Sequence, residues 1–84
     1  MITSLALMSI YKSPAIPLAE VCERYFALSY EEAMKKAARN ELPVPTFRLT
    51  SSRKAPMMVS AEALGNWIDK TEADARSLWE RSQI

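Results

Sequence analysis

Histidine is missing from this 84-residue sequence, and glycine and cysteine occur once each. With no His and a lone Cys, neither a structural zinc site nor nucleophile–His catalysis has its ligands or its base. One Gly excludes the glycine-rich loops that cradle phosphates. No metal or other cofactor is therefore expected, and no enzyme. Cys22 has no intrachain partner for a disulfide, which fits a reducing cytoplasm. It falls on an apolar stripe and reads as a buried structural thiol, because a reactive thiol needs exposure and a lowered pKa. Long hydrophobic runs are lacking too. The N-terminal ITSLALMSIY is far below the ~20 residues of a membrane span. It has neither a leading basic region nor a small-residue cleavage site, so no signal peptide is expected. The expected location is the cytoplasm.

What is present is an ordinary globular balance, 49% hydrophobic and 25% charged residues. The length suggests one domain over residues 1–84. A chain this small buries a modest core and often leans on a partner subunit. The net charge of +1 hides a segregation. Between Lys35 and Lys54 lie six basic residues (Lys35, Lys36, Arg39, Arg48, Arg53, Lys54) and one acid, Glu41. The other acids lie at or before Glu32, or from Glu62 onward. Such polarisation says more about partners than the sum does.

The stretch PLAEVCERYFALSYEEAMKKAARN, Pro17 to Asn40, organises the chain. Leu18, Val21, Cys22, Tyr25 and Phe26 line one helical face, with Pro17 suited to the first helical position. Tyr30, Ala33, Met34, Ala37 and Ala38 repeat the spacing. Ser29 followed by Glu32 is a capping box, so a second helix is predicted to start at Ser29. Two short helices around Ala27-Leu28-Ser29 have the shape of a helix-turn-helix. Before it, Thr3 or Ser4 can cap a short helix over Leu5 to Tyr11. A strand competes, because short apolar runs do not separate the two, and helix is preferred. Ala15-Ile16 should be extended ahead of Pro17.

After the second helix, Asn40 suits a left-handed cap and Pro43 forbids continuation. Thr46-Phe47-Arg48-Leu49-Thr50 alternates as a half-buried strand does, with Phe47 and Leu49 on one side. Ser51 to Pro56 is a polar, basic loop, and Met57-Met58-Val59 is a second strand. Together they make a hairpin with a basic tip. Ser60 can cap a last helix of about 20 residues, whose first half has a core to cover and whose second half has none. Gly65 within it marks a close backbone contact.

The predicted class is mainly α with a small β-hairpin, in the order of a winged helix-turn-helix. In that architecture the motif's second helix enters the major groove. Lys35, Lys36 and Arg39 can reach phosphates, and Arg39 can fork onto a guanine edge. Arg48, Arg53 and Lys54 add charge around the hairpin, and Ser51 and Ser52 add hydroxyl and N–H donors. Glu31 with Lys35, and Glu32 with Lys36, are also pairs that any solvated helix carries. A second basic element tips the balance to double-stranded DNA.

The segments LALMSIYKSPAIPL, VCERYF, AARNELPVPTFRL, SSRKAP and VSAEALGNWID, in that order, resemble the pyocin activator protein (PrtN-like) family over about residues 3 to 70. A wider likeness runs to excisionase and MerR-type winged helices. The resemblance implies a small prophage-encoded transcription activator. Such a protein binds upstream of bacteriocin or prophage genes, switches them on after DNA damage, and has RNA polymerase as a possible partner. It implies DNA contacts on the second helix and on Ser52-Arg53-Lys54. Two other classes compete: an excisionase-like protein that bends DNA, and a protein-binding inhibitor module whose basic face meets an acidic protein.

Apolar residues at both chain ends exceed one small core. Leu5 and Met8 near the start, and Leu78 and Trp79 on the last helix, are therefore expected at a homodimer interface.

Overall fold

A computed structural model describes residues 2–83. The elements are α1 (Ile2–Tyr11), β1 (Ala15–Pro17), α2 (Leu18–Phe26), α3 (Tyr30–Ala38), β2 (Thr46–Phe47), β3 (Met58–Ser60) and α4 (Ala61–Ser82). The protein is thus mainly helical, with a small antiparallel sheet in the order β1-β3-β2. This arrangement is compatible with a winged helix fold. The N-terminal apolar run is a helix rather than a strand, and it begins three residues earlier than the Leu5 start read from its pattern.

Local chemistry sets the element ends. Pro17 stands at the N-cap of α2, one position before the expected one, because its φ of −58° and ψ of 134° keep it in β1. Ala27 closes α2 in the left-handed region at φ 55°. The Ala27 and Leu28 amides both donate to the Cys22 carbonyl. Ser29 caps α3, its hydroxyl accepting from the Glu32 amide at 3.3 Å. Asn40 ends α3 at φ 55°. Its amide donates to Ala37, and that of Glu41 reaches back to Lys36 at 2.9 Å. These are the paired bonds of a Schellman ending. Ser60 caps α4 through the Ala63 amide at 3.2 Å.

The sheet has one strand more than the expected hairpin. Ala15–Pro17, extended because proline follows Ile16, pairs with β3 so that Ile16 faces Val59. The Ala61 amide bonds the Pro14 carbonyl and the Leu18 amide bonds the Met57 carbonyl, extending that ladder by one bond at each end. The other partner is shorter than its alternation suggested. In the β2–β3 register Phe47 faces Met58, which places Leu49 opposite Pro56. Proline has no amide to donate, so the ladder stops. Leu49 is then 71% exposed, against the half-buried role its pattern implied.

The core is Leu7, Ile16, Leu18, Val21, Cys22, Ala33, Ala37, Val44, Val59, Ala61 and Leu64. α1 lies along the first half of α4. Gly65 makes the approach possible, since a Cβ there would stand 2.8 Å from the Ser4 backbone nitrogen. The Thr3 hydroxyl donates to the Asp69 carboxylate, tying the same two helices one turn further on. Phe26 and Trp67 pack their rings 5.2 Å apart, joining the end of α2 to α4. Beyond Asp69, every described residue of α4 is exposed. The helix projects from the body, and the molecule measures 54 × 26 × 16 Å.

Candidate nucleic-acid interface

α3 is held to the core by two buried alanines, Ala33 and Ala37, with Met34 beside them. Small side chains let the helix sit close while its outer residues stay in water. Tyr30, Glu31, Glu32, Lys35, Ala38 and Arg39 are exposed, and Lys36 is half-buried. Ala38 therefore leaves the inner face assigned to it, and so does Tyr30, which is 45% exposed in the first turn. Tyr30 is the candidate contact that the sequence pattern hid. Its place next to the Ser29 cap, where a helix has just begun, was the available signal.

The charge of α3 is nearly balanced. From Tyr30 to Glu41 there are three bases (Lys35, Lys36, Arg39) and three acids (Glu31, Glu32, Glu41). The acids Glu31 and Glu32 occupy the first turn and Lys35 and Lys36 the last, which suits the helix dipole. Arg39, at the C-cap, pairs its Nε with Glu41 at 2.6 Å. Both partners are well exposed, and such surface pairs are worth well under ~1 kcal/mol. A phosphate or a guanine edge can displace Glu41 at little cost.

The β2–β3 loop is different. From Leu42 to Ala61 there are three bases and no acid. Arg48, Ser51, Ser52, Arg53 and Lys54 are all exposed. The loop is shaped by its own bonds. The Ser52 hydroxyl accepts from the Lys54 amide at 3.1 Å, and the Ala55 amide donates to the Ser52 carbonyl at 3.2 Å. Arg48 donates through Nε to the Ala55 carbonyl at 3.1 Å, across the neck of the loop. That bond still leaves the terminal guanidinium nitrogens pointing away from their stem. Strand pairing thus puts Arg48 at the neck of the loop and Ser51, Ser52, Arg53 and Lys54 beyond it, while Lys35, Lys36 and Arg39 ride on a separate helix.

The sequence model of the family described as "Pyocin activator protein PrtN" matches residues 3–75. The chain belongs to this family. Membership in the pyocin activator family makes the protein a regulator of pyocin genes, in a family of regulatory proteins rather than of known enzymes. No curated protein and no solved structure matches it. The matched span of the family runs from α1 into the projecting half of α4, so it takes in both basic elements. Among the described residues, no helix is long and apolar enough to cross a membrane, and no group of three or more Cys, Asp or Glu is placed to hold a metal ion.

Proposed function

We propose that this pyocin activator family member is a sequence-specific transcription activator that binds double-stranded DNA in the cytoplasm as a homodimer. α3 enters the major groove, presenting Lys35, Lys36, Arg39 and Tyr30. The β2–β3 loop lies along the backbone as a wing, where Arg48, Arg53 and Lys54 neutralise phosphates and Ser51 and Ser52 donate hydrogen bonds. RNA polymerase is the partner through which activation would act. The observation that carries this reading is the acid-free basic loop together with a helix that buries Ala33 and Ala37 and keeps Lys35 and Arg39 exposed. It supports a division of labour. The loop supplies most of the net attraction, and the balanced helix supplies discrimination.

Binding to a pyocin-gene promoter fragment should weaken steeply with salt, at about −0.9 in log–log slope per phosphate contact. Lys54→Ala should weaken all sequences alike and flatten that slope by roughly one contact. Arg39→Ala should instead relax base preference, by ~1–3 kcal/mol at the contacted pair. A salt titration by fluorescence anisotropy that leaves affinity unchanged would rule the DNA reading out.

A further inference from the structure

The projecting half of α4 carries a stripe that no described residue of its own chain covers. Leu64 and Ile68 begin the stripe in the body, and Thr71, Ala75, Leu78 and Ser82 continue it at alternating steps of four and three residues. That is the seam spacing of paired helices. Within it Leu78 is 63% exposed, and beside it Trp79 is 62% exposed. At its base lies a groove of about 340 Å³ between the end of α2 and α4, walled by Arg24, Tyr25, Trp67, Thr71, Glu72 and Ala75. Thr71 and Ala75 give it a small-residue floor. The Arg24 guanidinium on its wall faces the phenols of Tyr11 and Tyr25.

We propose that a second copy of this chain covers the stripe, its projecting α4 segment running antiparallel to the first, so that the partner's Trp79 enters the α2–α4 groove. The proposal deepens the dimer reading above and stands apart from the DNA reading. Charge selects the orientation. With Thr71 opposite the partner's Ser82 and Ala75 opposite the partner's Leu78, the flanking Asp74 meets the partner's Arg81, and the two-fold axis repeats the pair. A parallel pairing puts Asp74 beside the partner's Trp79 and leaves Arg81 without an acid. The antiparallel register also brings the partner's Trp79 level with Glu72 and Ala75. There the indole can stack under Arg24 and donate its N–H to the Glu72 carboxylate. About twelve residues of each helix overlap, Thr71 to Ser82, roughly 18 Å at 1.5 Å per residue. The two bodies then sit at opposite ends of the paired segment, free of each other.

The test uses full-length protein without DNA, so its failure leaves the α3 reading standing. Thr71→Cys and Ser82→Cys are made separately, both at exposed positions. Cys22, buried in the core, does not compete for oxidation. On oxidation, an equimolar mixture should form a disulfide-linked dimer, and neither variant alone should. Trp79→Ala should abolish the cross-link and raise the sedimentation Kd about tenfold or more, with helical circular dichroism unchanged. Cross-linking of Thr71→Cys to itself, no cross-link in the mixture, or an unchanged Kd for Trp79→Ala would each overturn the proposal.

Discussion

The two halves of α4 share one helical period and one continuous backbone, yet they live in different solvents. From Ala61 to Asp69 the helix has α1 along it and the sheet beneath it. From Lys70 onward every described residue is exposed. Amphipathic spacing is present in both halves, so spacing alone does not bury a face. Burial needs something to meet it. In the first half the partner is supplied by the chain itself, at a distance set by a glycine. In the second half the matching surface has to come from outside, or the helix stands on its hydrogen bonds and side-chain pairs.

The contrast is sharpest between two leucines fourteen residues apart. Leu64 is wholly buried and Leu78 is 63% exposed. Leu64→Ala should cost ~2–5 kcal/mol of folding stability. Leu78→Ala should stay within ~0.5 kcal/mol when urea denaturation is followed at concentrations where the protein sediments as a monomer. Equal losses would mean that the second half is packed after all.

A smaller effect comes from opposite changes at small residues. Gly65→Ala improves helix propensity by up to ~1 kcal/mol but drives a Cβ against the Ser4 backbone. Overpacking of this kind costs ~1–3 kcal/mol, so the variant should melt lower than wild type. Ala73→Gly, on the exposed half, should lose only the propensity, about 1 kcal/mol at most, and much of that as local fraying. If Gly65→Ala is stabilising, α1 does not bear on α4 as closely as described.

The smallest effect belongs to Arg76, whose guanidinium pairs with Glu72 one turn earlier at 2.6 Å. The pair is exposed, and Arg76→Ala should lower stability by on the order of 0.3–0.5 kcal/mol, barely measurable as a shift in melting temperature. The change should be lost in high salt.

Much of this was legible in the residues. Ser29, Ser60, Asn40 and the prolines mark element ends because each acts within a turn of its own position. Gly65 was readable as a contact, since glycine weakens a helix interior unless something needs the space. The misreadings have a common physical source. The third strand depends on Ala15-Ile16 finding β3 more than forty residues later, and three-residue strands leave no alternation to read. Leu49 follows the alternating pattern, but Pro56 across the ladder decides its fate. Tyr30 and Ala38 fit the helical period of α3, yet only Ala33 and Ala37 fall where α3 meets the core. The candidate interface was legible as charge segregation. Its internal balance was not, because the pairing of Arg39 with Glu41 depends on the Schellman turn that brings them together.

The single thiol offers a clock. Cys22 Sγ is wholly enclosed and lies 3.7 Å from the Ala19 carbonyl within its own helix. An alkylating reagent can reach it only when the core around α2 opens. With no second cysteine to confuse the signal, the rate of labelling on native protein reports those openings, their rate where alkylation outpaces reclosing and their population where it does not. Any ligand that holds α2 in place, whether a DNA segment against the neighbouring helix or another subunit against the α2–α4 groove, would be seen as a slowing of that one reaction.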